Sequence, residues 1–126
     1  MWPFTERRHR KRYTVHWNAT ICCLFPEAKE ELQAEVVEIS LQGARILLPR
    51  MQVGPYHLIV DNQEEQLKLN IHLPEGSVRS SVMIRWYNLL DEERLFSIGV
   101  EFFDLPEASK KMLKERFKSL KKEAGI

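Results

Sequence analysis

The chain has 126 residues, of which 44% are hydrophobic and 29% charged. That is enough for one domain with an ordinary core, and it excludes a disordered, fibrous or membrane-buried polypeptide. The net charge of +1 hides an asymmetry: residues 1–12 hold five Lys or Arg and one Glu, residues 107–126 hold seven and three, and residues 13–106 hold seven against fourteen acids. An acidic body between basic ends speaks against a nucleic-acid polymer as partner and for a local anion site.

The first segment ends in Arg7-Arg8-His9-Arg10-Lys11-Arg12. Its opening, Met1-Trp2-Pro3-Phe4, is too short for the apolar core of a signal peptide, and no run approaches a membrane span. Cys22 and Cys23 are neighbours that point to opposite faces of a strand, so no disulfide is expected. A cytoplasmic location follows as the expectation.

Residues 13–25 alternate strictly: Tyr13, Val15, Trp17, Ala19, Ile21, Cys23 and Phe25 on one face, polar residues on the other. This predicts a long half-buried strand ended by Pro26. Residues 27–31 read as a polar loop or turn. Residues 33–40 read as a second strand, with Val37, Ile39 and Leu41 on one face and Glu38 and Ser40 on the other. Gly43 permits a tight turn into a third strand over residues 44–48. Residues 56–60 form a short strand and residues 61–65 a polar turn. Leu67, Leu69, Ile71 and Leu73 alternate again. Residues 78–87 form a strand with Val78, Val82, Ile84 and Trp86 on one face. After a charged turn over residues 90–94, Phe96, Ile98, Val100 and Phe102 form the last strand.

From Pro106 the period changes. Leu113, Phe117, Leu120 and Ala124 recur at helical spacing, with lysines on the other face. The prediction is mainly β: a six- to seven-stranded antiparallel barrel or sandwich with a C-terminal helix that packs on it or plugs one end. The domain plan is a basic tail over residues 1–12, a β-barrel over 13–104 and a helix over 105–126.

Catalytic chemistry has no visible seat. His9, His16, His57 and His72 show no metal-ligand spacing among themselves or with cysteine, no serine sits in a nucleophile elbow, and no glycine-rich loop resembles a phosphate cradle. The expectation is a protein that is not an enzyme and has no metal or cofactor. What remains is a binding constellation. Arg8 and Arg12 are separated by three residues, with Arg7 beside the first. A guanidinium grips phosphate oxygens or the O6/N7 edge of guanine in bidentate fashion. Glu38 can accept from ring or amino N–H groups, Ser40 can donate or accept, and Gly43 allows close approach.

In order and spacing these residues resemble the PilZ domain family. Arg8-His9-Arg10-Lys11-Arg12 is similar to the family's R-x-x-x-R tail, and Glu38-Ile39-Ser40-Leu41-Gln42-Gly43 to its [D/N]-x-S-x-x-G turn. Ile98-Gly99-Val100-Glu101-Phe102 is similar to a late G-V-x-F strand. The resemblance spans roughly residues 7–120. It implies a six-stranded barrel with a C-terminal helix that binds the bacterial second messenger cyclic di-GMP, a receptor that signals through an unidentified protein partner. By the same resemblance Arg8 and Arg12 contact guanine and phosphate, Arg7, like a basic residue often found just before the first motif arginine, adds a contact, and Ser40 and Gly43 line the guanine site. Glu38 departs from the pattern by one methylene, which implies weakened binding. Family members that bind no nucleotide act as protein adaptors, and that is the alternative class. A monomer or weak homodimer is expected, the Met112, Leu113, Phe117 and Leu120 stripe being available for self-association only if the barrel leaves it uncovered.

Overall fold

The computed structural model describes residues 11–25, 28–58, 67–90 and 94–123. Among the described residues eight strands and one helix follow in chain order: β1 Tyr13–Phe25, β2 Ala28–Ile39, β3 Gly43–Leu48, β4 Gln52–Val53, β5 Tyr56–His57, β6 Leu67–Leu73, β7 Gly76–Leu90, β8 Leu95–Phe103 and α1 Glu107–Glu123. Six of the strands close a barrel in the order β1-β2-β3-β8-β7-β6, and β4 and β5 pair separately as a small ribbon. Every ladder is antiparallel. Closure leaves these strands without a free edge.

The period-two pattern decides what lies inside. Ala19 and Ile21 of β1, Val36 and Ile39 of β2, Ala44, Ile46 and Leu48 of β3, and Ile98 and Val100 of β8 are fully buried. The helix closes the end of the barrel at which β1 and β7 begin. Its Leu113 and Phe117 enter the core, and the Tyr13 ring stacks on Phe117 with centroids 4.5 Å apart. Ser109 Oγ accepts the Arg79 backbone N–H at 3.1 Å, and Arg116 pairs with Glu75 at 2.7 Å. Gly76 takes φ 148° beneath the Met112 side chain, a conformation other residues seldom adopt. Thus the stripe that could have dimerised is covered by the barrel at Leu113 and Phe117. None of the described helices is long and apolar enough to cross a membrane.

The expected fold class holds, and three local expectations need correction. Residues 28–31 are not a loop but the start of β2, paired through Phe25↔Ala28 and Cys22↔Glu31. Lys29 and Glu31 take outer-face positions and Glu30 stands opposite Cys23 on the inner row, so no apolar alternation marked this end as a strand. Of the expected strand over residues 56–60, Tyr56 and His57 form β5, one arm of the ribbon, and Leu58 is already in a turn; residues 59–60 lie outside the described residues.

The third correction concerns Trp86. A bulge in β7 between Ile84 and Trp86 inserts one residue against β8. Ile84 still pairs with buried Val100, but Trp86 pairs with Gly99, whose row faces outward. One extra residue reverses every later side chain. Trp86 therefore leaves the face shared by Val78, Val82 and Ile84, and Tyr87 and Leu89 take the inward side, where they are 47% and 53% exposed.

Candidate functional site

The β2–β3 turn organises the site. The Ser40 N–H donates to the Gly43 carbonyl at 2.9 Å, and Ser40 Oγ accepts from the N–H groups of Gln42 at 3.0 Å and Gly43 at 3.3 Å. Ser40 is fully buried, one residue past the end of β2. Its hydroxyl is committed to the turn, so it does not share a presented face with the Glu38 carboxylate as the alternation alone suggested. The same hydroxyl holds the turn that aims the residues around it. Phe102 N–H donates to the Gln42 carbonyl at 2.9 Å and pins the turn to β8. Positive φ among the described glycines occurs at Gly54 and Gly76. Gly43 stays in the extended ladder opposite Glu101, and Ser40 rather than a left-handed glycine tightens the turn.

A second bulge, in β2 between Val36 and Glu38, brings Glu38 to the outer face opposite Arg45. Across the sheet this row reads Thr14, Glu38, Arg45, Gly99, Trp86. Arg45 Nε donates to Glu38 Oε1 at 3.5 Å, and Arg45 Nη1 donates to the buried Ser97 Oγ at 3.3 Å. Both charged side chains are about one-third exposed, 28% for Glu38 and 35% for Arg45. At the far end the Trp86 indole lies across Gly99. A Cβ there would fall 2.8 Å from Cζ2 and nearer still to Nε1 and Cε2, so only glycine fits. Trp86 Nε1 is buried and has no hydrogen-bond partner among the described residues. Arg85, the residue inserted by the bulge, pairs with Glu101 beside the turn.

Of the expected site residues, Glu38, Ser40 and Gly43 come together at this turn. Arg12 stands one residue before Tyr13, which pairs with Ile39, so Arg12 precedes β1 at the end of β2 that holds Glu38 and leads to Ser40. Arg7 and Arg8 lie outside the described residues. Arg45, Ser97 and Trp86 were not among the expected site residues, and Gly99 was noted only within the late strand motif. Two signals pointed to them: an arginine at an outward position directly across the hairpin from Glu38, and a glycine inside a strand, which marks a close approach.

The family model described as "PilZ domain" matches residues 6–118. The chain belongs to the PilZ domain family. Among solved structures it is similar to MrkH of K. pneumonia in complex with c-di-GMP, with 15% identity and a TM-score of 0.67 over 94% of this chain and 54% of that one. It is similar to YcgR of Escherichia coli in complex with c-di-GMP, with 14% identity and a TM-score of 0.66 over 94% and 47%. It is also similar to the Bacillus subtilis inhibitor of motility MotI/DgrA, with 18% identity and a TM-score of 0.64 over 93% and 52%. The chain thus spans about half the length of these three structures. No curated protein sequence matches it.

Proposed function

We propose that the chain is a non-catalytic receptor for cyclic di-GMP, bound on the outer face of β2, β3 and β8. The observation that carries this reading is that Arg12 immediately precedes the β1 residues paired with Ile39 and Glu38, next to the Ser40-braced turn. Membership of the PilZ family supports it, as do two similar structures described as complexes with c-di-GMP.

The division of labour follows from the chemistry. Arg12, Arg8 and Arg7 supply guanidinium forks for phosphate oxygens and guanine edges. Glu38 accepts from guanine N–H groups, exchanging its long contact with Arg45 for shorter bonds. Ser40 acts as a positioning residue through the turn, and Gly43 keeps that turn's backbone open to the ligand. Trp86 ends the row with a flat ring on which a purine can lie. Each bond made by a charged group contributes about 1.5–3 kcal/mol. Closure of the tail over the nucleotide alters the surface offered to a partner protein, which is how a domain without chemistry of its own signals. Binding of labelled cyclic di-GMP to Arg8→Ala and Arg12→Ala tests the assignment. Each falls at least about tenfold in affinity, whereas full affinity in both variants places the site elsewhere.

A further inference from the structure

The outward side of α1 carries charge that neither the barrel nor the nucleotide site uses. Lys110, Lys111, Lys114, Lys118 and Lys121 recur so that, at about 100° per residue, all five fall within roughly 100° of the helix circumference. The stripe runs about 17 Å along the axis. Lys111, Lys114, Lys118 and Lys121 are exposed, and Lys110 is partly so. Lys110 reaches Glu107 at 3.5 Å, and no other lysine of the stripe makes an ion pair among the described residues. Lys110, Lys114 and Lys118 follow one another at i, i+4, and Lys118 and Lys121 stand at i, i+3. Like charges at these spacings destabilise a helix. The fold gains nothing from them: Leu113 and Phe117 join α1 to the core, and Arg116 ties it to Glu75.

Three features select the partner. The stripe is lysine without arginine. An ammonium is a strongly hydrated point charge, suited to loose contact with many anionic groups rather than to a fork on one. Next, no apolar anchor accompanies it. Among the described residues the large hydrophobic side chains left exposed are Tyr87 and Leu89, at the end of β7 far from the helix. Protein interfaces are built on buried apolar centres and are poor in lysine. Finally, the charge is one-sided. The helix closes one end of a barrel whose residues 13–106 hold seven Lys or Arg against fourteen acids. A flat anionic surface meets the basic end and leaves the acidic body pointing away, whereas a polyanion that wraps the molecule meets both.

We propose that the lysine stripe of α1 docks the protein on an anionic lipid bilayer. The attraction is to headgroups alone, without insertion, because the apolar side of the helix is committed to the core. Such docking is reversible and weakens with salt, since exposed charges are screened over about 10 Å at 0.1 M. None of these lysines takes part in the nucleotide site, so the proposal stands apart from that reading.

Co-sedimentation of the intact chain, without nucleotide, tests it with vesicles of phosphatidylcholine containing about 30% phosphatidylglycerol. The expected result is saturable binding at about 0.1 M salt that disappears at about 0.5 M, and none to phosphatidylcholine alone. At about fivefold per lysine, the double variant Lys114→Gln, Lys118→Gln weakens binding about 20- to 30-fold. Glutamine is a good helix former and removes the repulsion along the stripe, so this variant folds. Glu107→Gln removes the acid that lies within the stripe and tightens binding about twofold or more. Lys29→Gln makes the same charge change at the opposite end of the barrel, where Lys29 pairs with Leu24, and leaves binding unchanged. No binding to anionic vesicles at about 1 mM lipid, full binding by the double variant, or an equal loss in Lys29→Gln would each overturn the proposal. So would tighter capture of a poly-glutamate peptide than of vesicles, lost in the same double variant, which would assign the stripe to an acidic protein instead.

Discussion

Glu38 carries one methylene more than the Asp or Asn of the family pattern, and its carboxylate spends that reach on Arg45 across the hairpin. A contact of 3.5 Å between two partly exposed groups contributes little, so a ligand N–H displaces Arg45 at small cost. Glu38→Ala is expected to weaken cyclic di-GMP binding about 10- to 100-fold. Glu38→Asp is expected to bind equally or more tightly. Calorimetry on the two variants separates a site that tolerates Glu from one built around it, the latter showing a large loss in Glu38→Asp. A second residue-scale expectation concerns Cys23, whose thiol is pushed from 9.0 up to about 12, first by burial, then by Cys22 and Glu30, with Arg50 opposing. Between those values the unfolded chain has released a proton that the folded chain keeps. Stability therefore falls by about 1.4 kcal/mol per pH unit as the pH rises through that window. Denaturant unfolding across it shows a steeper loss in the native chain than in Cys23→Ala; parallel slopes would mean that Cys23 ionises freely. Glu38 was legible in the sequence because it sat inside a short pattern. Arg45 was not, because its importance comes from a cross-strand partner that only the register supplies.

At the scale of elements, the bulges in β2 and β7 and one buried hydroxyl decide what the site presents. Ser40→Ala leaves two turn N–H groups without their acceptor and is expected to cost about 1–3 kcal/mol of stability, measured by chemical denaturation. An unchanged midpoint would show that the turn holds itself. Gly99→Ala drives a methyl into the Trp86 indole and is expected to cost about 1–3 kcal/mol. In a Trp86→Ala background the same change is nearly neutral, so a double-mutant cycle reads the coupling directly. Two full, additive losses would mean that the ring does not lie on Gly99. Strand existence was legible wherever apolar residues alternated, as in β1, β6 and β8. The bulges were not. A single inserted residue such as Arg85 looks the same as any other strand residue until its partner strand is known, which is why Trp86 was assigned to the wrong face. The start of β2 was missed for a related reason: Lys29, Glu30 and Glu31 put charge on both faces of its first residues, so no apolar alternation is present there.

At the scale of the whole molecule, the uneven charge and the closed barrel belong to one design. The barrel carries α1 seated in its end, and β1 begins next to the Ser40 turn at Tyr13, whose ring rests on Phe117. Phe117→Ala is not a test of function, since it empties the contact that joins α1 to β1 and is expected to cost about 3–5 kcal/mol. The fold class was readable from alternation followed by a change of period at Pro106. The position of the helix was readable only as a choice between packing and plugging, because an amphipathic stripe does not say what covers it. The acidic body is the reason the basic tail is expected to act as a local anion site rather than as part of a nucleic-acid surface. The measurement that tests this account most directly is a calorimetric titration of the intact chain with cyclic di-GMP. The account predicts saturable heat at ligand concentrations on the order of tens of micromolar, with the heat lost in Arg8→Ala and Arg12→Ala. A flat titration of the intact chain over that range would contradict it and leave a nucleotide-independent adaptor as the surviving class.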